Sequence, residues 1–136
     1  MTIKDCRIID LPRFSDERGI LTVIENDKEI PFEIKRIYYL HSISTDMARG
    51  KHAHKKLNQF IIAMNGSFDV TIDDGNETET HNLRDCNQGL FICPMIWRDI
   101  KNFTKDAICV VLASEFYDED DYFRNYDAFL KAVDNS

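Results

Sequence analysis

Arg49-Gly50-Lys51-His52-Ala53-His54 opens the series of residues on which the fold turns, and the series continues through Gln59 to Asn65-Gly66. On an extended strand, residues two apart project to the same face, so the imidazoles of His52 and His54 point together into a fold or together out of it. Four residues separate His54 from Gln59 and six separate Gln59 from Gly66. Asn-Gly tolerates the positive φ of a tight turn. The series therefore reads as strand, connection, strand and turn.

Outward from this stretch, short runs rich in β-branched and aromatic residues alternate with Gly, Asp, Asn and Pro from residue 2 to about residue 113. Candidate strands are 20–24, 34–40, 59–64, 67–72, 78–83, 89–93, 96–100 and 107–113. The expectation is an all-β domain, a sandwich or jelly-roll barrel over about residues 2–114. Met64-Asn65-Gly66-Ser67 and Asp73-Asp74-Gly75-Asn76 read as tight hairpins, which makes the central strands antiparallel neighbours. After Ser114 the texture changes. Asp118-Glu119-Asp120-Asp121 suits a helix N-terminus, and Tyr122, Tyr126, Phe129 and Val133 follow near helical spacing, so one short C-terminal α-helix is expected over about 119–133. Its aromatic stripe reads as core, with partner docking as the alternative. No repeat or linker divides the chain, and the expected organisation is a single domain over 1–136.

Hydrophobic residues make up 43% and charged residues 30%, and no apolar run reaches the length that spans a bilayer. The segment Met1-Thr2-Ile3-Lys4-Asp5-Cys6-Arg7 lacks the apolar core of a secretion signal, so a cytoplasmic protein is expected, without a membrane partner. Cys6, Cys86, Cys93 and Cys109 form no C-x-x-C pair and read as reduced thiols. A net charge of −7 disfavours polymeric nucleic acid as a partner. A small anion remains compatible, because Arg18, Arg36, Arg49, Lys51 and Arg98 can line a locally positive pocket.

The spacing around His52 and His54 resembles the first cupin motif, H-x-H followed by Glu and then Gly, with Gln59 standing in the place of the metal-ligand Glu. A second, degraded cupin motif runs from Gly89 to Asn102 and puts Arg98 where the last metal-binding His would stand. A stable divalent site needs three or four His or carboxylate ligands. Here two imidazoles survive beside a neutral amide and a permanent cation, so the expected site holds no metal. A histidine pair free of metal is suited to proton transfer, since imidazole titrates near neutral pH. A pair of polar residues on a solvated strand is the alternative. His41 and His81 lack such context and read as surface or structural residues.

Several stretches together resemble the dTDP-4-keto-6-deoxyglucose 3,4-ketoisomerases. They are Phe14-Ser15-Asp16-Glu17-Arg18-Gly19, Ile34 to Tyr39, Arg49 to Leu57, Pro94-Met95-Ile96-Trp97 and Leu112 to Tyr122. D-x-R-G is shared with sugar 3,5-epimerases, whereas R-G-x-H-A-H-K with the S-x-x-Y-D-E-x-D-Y tail is the more specific part. The resemblance implies a cupin barrel, a homodimer, no metal or other cofactor, and a dTDP-linked 4-keto-6-deoxyhexose as substrate. It also implies a place in the biosynthesis of a 3-amino-3,6-dideoxyhexose for a surface polysaccharide such as O-antigen. Acid-base duty passes by this resemblance to His52 and His54, with His52 as the principal base.

Moving a carbonyl from C4 to C3 requires taking the C3 proton, stabilising an enediolate and protonating C4, which needs side chains rather than a cofactor. Tyr39 is a candidate donor to the developing oxyanion, with a packed core aromatic as the equal alternative. Guanidinium groups grip phosphate oxygens in pairs, so Arg18, Arg36 and Arg49 lead as diphosphate ligands, followed by Lys51. Trp97 is the single tryptophan and a candidate to stack on the base or sugar, with core packing as its alternative. Gln59 and Arg98 are candidates for the ligand pocket. Two rival activities stay open, 3,5-epimerisation of the same sugar and a silent cupin that only binds a sugar nucleotide. The purified protein is expected to carry no stoichiometric divalent metal by elemental analysis and to keep its turnover after exhaustive chelation. Bound metal whose removal abolishes turnover would overturn this.

Overall fold

A computed structural model describes residues 1–46 and 48–135. Two five-stranded antiparallel sheets and a two-stranded hairpin account for most of the chain. The first sheet contains β1 (Arg7–Asp10), β4 (Arg36–Leu40), β6 (Gln59–Asn65), β9 (Gln88–Ile92) and β11 (Ile108–Ala113), in the order β1-β9-β6-β11-β4. The second contains β5 (Arg49–His54), β7 (Phe68–Asp73), β8 (Thr78–Leu83), β10 (Trp97–Lys101) and β12 (Tyr122–Phe123), in the order β12-β5-β10-β7-β8. β2 (Arg13–Asp16) and β3 (Gly19–Thr22) pair only with each other. This is the expected jelly-roll barrel, closed by one short helix, α1 (Tyr126–Asp134). Among the described residues no helix is long and apolar enough to cross a membrane.

The continuous apolar run of β6 is explained by its place. It lies between β9 and β11, and Phe60, Ile61, Ile62 and Ala63 are all buried, so both of its faces are covered and alternation disappears. One hydrophobic cluster joins these residues to Phe68, Val70, Ile72, Leu90, Ile92 and Val111, and to Ile30 and Phe32 from the loop before β4.

Two local expectations are corrected. The turn at Asn65-Gly66 does not join neighbours, because β6 belongs to one sheet and β7 to the other. Gly66 has φ 66°, and a Cβ there would lie 2.9 Å from the Ala107 Cα, so both conformation and crowding demand glycine at this corner. The other turn does join antiparallel neighbours, β7 and β8, in register from Phe68↔Leu83 to Asp73↔Thr78. Its Asp74 carboxylate accepts the Asn76 and Glu77 N–H groups, each at 2.8 Å.

The helix is also shorter than expected at its start. Asp118 caps only a single 3-10 turn over Glu119–Asp121, and the chain then extends to pair Tyr122 with His54 and Phe123 with Ala53. Without β12, the outer backbone groups of β5 would stand open, and satisfying them outweighs continuing a helix. The α-helix begins only where the Asn125 side chain accepts the Ala128 N–H at 2.9 Å. It docks through fully buried Phe129 against Trp97, with ring centroids 5.9 Å apart.

Candidate active site

Between the two sheets lies a cavity of about 330 Å³, with His52 and Arg98 on one wall and Tyr38 and Gln59 on the other. Strict alternation along β5 would put Arg49 and His52 on opposite faces, yet both line the cavity. The cause is a bulge. Arg98 pairs with His52 but Ile100 pairs with Arg49, so three steps on β5 oppose two on β10, and Gly50 absorbs the extra residue at φ 72°. A Cβ on Gly50 would press within 3.2 Å of the Ile100 side chain. Glycine at this point thus brings Arg49 to the cavity wall.

His52 and His54 share a face, as expected, with their ring centroids 4.7 Å apart and nearly perpendicular. The Tyr122 ring packs against both, 5.1 Å from His52 and 4.3 Å from His54. His54 Nδ1 lies 3.1 Å from one Asp121 carboxylate oxygen, and the other oxygen accepts the Lys56 N–H at 2.8 Å. The carboxylate accepts, so Nδ1 carries the proton and Nε2 keeps its lone pair. That Nε2, like His52 Nε2, is buried without a hydrogen-bond partner among the described residues. Burial and then the guanidiniums of Arg98, Arg124 and Arg36 push His52 down to about 3. His54 is held lower still, by burial first and Arg98 next. Asp121 favours the opposite shift, but full burial among several cations outweighs one carboxylate, and both imidazoles are neutral at pH 7.

Arg98 is 1% exposed, and its own burial lowers it only to about 10, so it remains a cation. Its Nη2 donates to the Ile96 carbonyl at 2.9 Å, and its Nη1 donates to Gln59 Oε1. The Gln59 amide in turn donates from Nε2 to the Tyr38 hydroxyl at 3.1 Å. Burial raises the Tyr38 phenol above its usual range, which keeps it protonated and able to donate. Among the described residues no three His, Cys, Asp or Glu side chains converge to hold a metal ion.

The structure brings His52, His54, Arg36, Arg49, Gln59 and Arg98 to one place and leaves four expected site residues outside it. Tyr39 is corrected to Tyr38. On β4, Arg36, Tyr38 and Leu40 face the cavity, so Tyr39 points outward and is 62% exposed. Lys51 lies across the strand from His52 and is exposed on the outer face of β5. Trp97 is opposite Arg98 on β10 and packs on Tyr126 and Phe129 of the helix, so it is a docking residue and not a stacking platform. Arg18 sits on the β2–β3 hairpin with its side chain 85% exposed, paired to Asp16 at 2.6 Å, away from the cavity.

Tyr122, Arg124 and Asp121 were not foreseen from sequence. Asp121 ends the 3-10 turn and Tyr122 and Arg124 follow on extended chain; the signal for Asp121 and Tyr122 is the specific S-x-x-Y-D-E-x-D-Y tail. Arg124 lies over the Tyr122 ring, 4.2 Å from its centroid, and bonds Glu119 through two nitrogens.

The family model described as WxcM-like, C-terminal (FdtA) matches residues 4–134. The chain is similar to the TDP-4-oxo-6-deoxy-alpha-D-glucose-3,4-oxoisomerase of Aneurinibacillus thermoaerophilus, at 42% identity over 93% of this chain and 91% of the relative. It is also similar to a 3,4-ketoisomerase from Helicobacter canadensis, at 46% identity and a TM-score of 0.93, covering 96% of this chain and 98% of the other. A third relative is the 3,4-ketoisomerase QdtA from Thermoanaerobacterium thermosaccharolyticum, in a histidine-to-asparagine mutant solved in complex with TDP-4-keto-6-deoxyglucose. Its identity is 40% and its TM-score 0.93, over 96% of this chain and 94% of that one.

Neutral, buried imidazoles link stability to pH. Below about 6.5 the unfolded chain binds protons that folded His52 and His54 refuse, so the stability present above that pH is lost as pH falls toward about 3 for His52 and lower for His54. The steepest loss is about 1.4 kcal/mol per pH unit for each histidine. Urea unfolding at pH 7, 6 and 5 is expected to show this decline, flattened in the double variant His52→Gln/His54→Gln. Equal slopes in the two proteins would show that the pair is not held neutral.

Proposed function

The chain belongs to the WxcM-like, C-terminal family, and from that premise we propose that its cavity is the active site of a 3,4-ketoisomerase acting on TDP-4-keto-6-deoxyglucose. The protein is an isomerase, and the observation that carries the mechanism is the neutral His52, backed by buried His54, on the wall of a cavity lined by guanidinium groups. His52 takes the C3 proton through its unpartnered Nε2, and the electron pair of the C–H bond becomes the C3–C4 double bond. The former carbonyl oxygen at C4 accepts a proton from the Tyr38 hydroxyl. Return of a proton to carbon C4 and loss of the C3 hydroxyl proton complete the migration, with no net change in atoms or charge. A base held near 3 is weak, but negative charge arriving with the substrate and growing on the enediolate stabilises the imidazolium. Basicity thus rises where and when the proton is taken.

Arg36 and Arg49 hold the diphosphate. Two nitrogens of Arg36, Nε and Nη2, are buried without a partner, which suits them to bidentate contact with phosphate oxygens. The whole of 1–136 acts as one domain, in the cytoplasm, within the biosynthesis of a 3-amino-3,6-dideoxyhexose for a surface polysaccharide. The working form is a homodimer. Phe14, Ile20 and Leu21 on the β2–β3 hairpin and Ile37 and Tyr39 on the outer face of β4 are exposed apolar side chains that a two-fold partner covers. β1 pairs with β9 on one side and forms the edge of its sheet, so its outer side is open to the same partner. Sedimentation at micromolar concentration is expected to give a dimer, and a monomer would remove this assignment.

Incubation with TDP-4-keto-6-deoxyglucose in deuterated water is expected to give ketone migration to C3 by NMR. Epimerisation at C3 and C5, or an unchanged sugar, would replace this reading with one of its rivals. His52→Asn removes the titratable nitrogen while keeping a polar group of similar shape, so kcat should fall roughly 10²–10⁴-fold with little change in nucleotide-sugar affinity. Near-normal turnover in His52→Asn with a dead His54→Asn moves the base to His54.

A further inference from the structure

Gln59 and Arg98 occupy the positions where a metal-binding cupin places two ligands, and both are 1% exposed. Their contacts leave one consistent arrangement of donors. A guanidinium has donors only, so the atom of Gln59 that faces Arg98 Nη1 must be the amide oxygen. The amide nitrogen is thereby turned to the opposite side, where it lies 3.1 Å from the Tyr38 hydroxyl and donates to it. The Tyr38 oxygen accepts that bond, and its own proton is turned elsewhere. Tyr38 lines the cavity, and no other partner of its hydroxyl is found among the described residues.

We propose that Gln59 is a positioning residue that, locked by Arg98, makes Tyr38 an obligatory proton donor into the cavity. The inference rests on the ketoisomerase reading and deepens it. As the C3–H electron pair forms the C3–C4 double bond, the π pair of the C4 carbonyl moves onto its oxygen. That oxygen takes the Tyr38 proton, and the phenolate left behind accepts from Gln59 Nε2. Arg98 stands behind the amide, so its positive charge strengthens the same bond as the phenolate forms. The proton given up by Tyr38 stays on the C4 hydroxyl; in the later step the C3 hydroxyl proton passes to the Tyr38 phenolate as the C3 carbonyl forms, and the relay ends as it began.

Glutamate at position 59 reverses the relay. One carboxylate oxygen would still accept from Arg98, but the other would accept from Tyr38, drawing the phenolic proton out of the cavity. The loss of the metal-ligand Glu in this chain therefore does more than weaken a metal site: the amide supplies a donor that the carboxylate lacks.

Gln59→Glu keeps size and shape, and its pairing with Arg98 keeps the fold. It should lower kcat roughly 10²–10³-fold, the usual effect of losing one oxyanion donor, with KM and the urea midpoint close to wild type. Tyr38→Phe should show a similar loss, and the double variant Gln59→Glu/Tyr38→Phe should be no slower than Tyr38→Phe alone, because the two residues act through one hydroxyl. Multiplicative losses in the double variant, or wild-type kcat in Gln59→Glu, would overturn the relay. A second readout needs no turnover. With ¹³C-labelled tyrosine, the Tyr38 phenol should titrate at higher pH in Gln59→Glu than in wild type, since the phenolate loses a donor and gains a facing carboxylate. An unchanged or lower midpoint would also overturn it. Failure of the wild-type protein to move the ketone, with the titration shift intact, would refute the reaction and leave the relay standing. Wild-type kcat in Tyr38→Phe and Gln59→Glu beside a dead His52→Asn would do the reverse.

Discussion

A guanidinium buried without a carboxylate partner governs the interior of this barrel. Arg98 is 1% exposed and bonds only neutral acceptors, the Gln59 amide and the Ile96 carbonyl. Removing a charge from water is costly unless its hydrogen bonds are replaced, and a carboxylate would have replaced them while cancelling the charge. Neutral dipoles accept from Nη1 and Nη2, Nε is without a partner among the described residues, and the positive field stays in place. The rest of the site follows. That field helps hold His52 and His54 neutral, dictates the orientation of Gln59, and through it the direction of the Tyr38 proton. A cavity preset for negative charge in a chain of net charge −7 must obtain its selectivity from such local arrangement and not from the overall field.

The acidic tail supplies the second constraint. Its 3-10 turn presents the Asp121 carboxylate to His54 Nδ1, and its carbonyl accepts the Lys55 N–H at 2.9 Å, so side chain and backbone bind the same stretch of β5. Two residues of β12 then complete the edge of the sheet and bring Tyr122 over both imidazoles. A segment that looks like the start of a helix is thus the outer wall of the site. The helix proper begins four residues after Tyr122, and its contribution is to pin β10 from behind through Trp97 and Phe129.

Much of this was legible in the sequence wherever one physical rule governed. Period-two projection put His52 and His54 on one face, and the departures from the cupin motif at Gln59 and Arg98 singled out two residues that the fold joins by a hydrogen bond. What was not legible required knowing which face was inside. Tyr38 and Tyr39 are adjacent aromatics on one strand, and only the pairing of β4 with β11 decides that Tyr38 turns inward. Lys51 lies on the outer face of β5 despite its proximity to His52, and Arg49 reaches the cavity wall only through the Gly50 bulge. Tyr122 and Asp121 fell inside a stretch whose helical spacing was a sound inference, defeated by the open edge of β5. The Asn65-Gly66 turn has hairpin chemistry but serves a crossing between sheets, since positive φ is a local requirement and pairing is not.

In the proposed mechanism a histidine held near 3 is a poor base until substrate charge arrives, and that weakness has a use. A neutral imidazole in the resting enzyme keeps its lone pair free, so no proton has to be shed before substrate can react. The same burial that weakens the base strengthens every interaction with charge formed on the substrate, because little water remains to screen it. An anion entering beside Arg36 and Arg49 offsets the guanidinium field that had suppressed protonation, and the enediolate offsets it further. The base is therefore strongest in the state where it holds the proton. A metal ion in the same barrel would have stabilised the oxyanion with a fixed charge and occupied the imidazole lone pairs in doing so. In the proposed mechanism Arg98, Gln59 and Tyr38 hold the stabilising charge one relay away and leave the imidazole lone pairs to proton transfer.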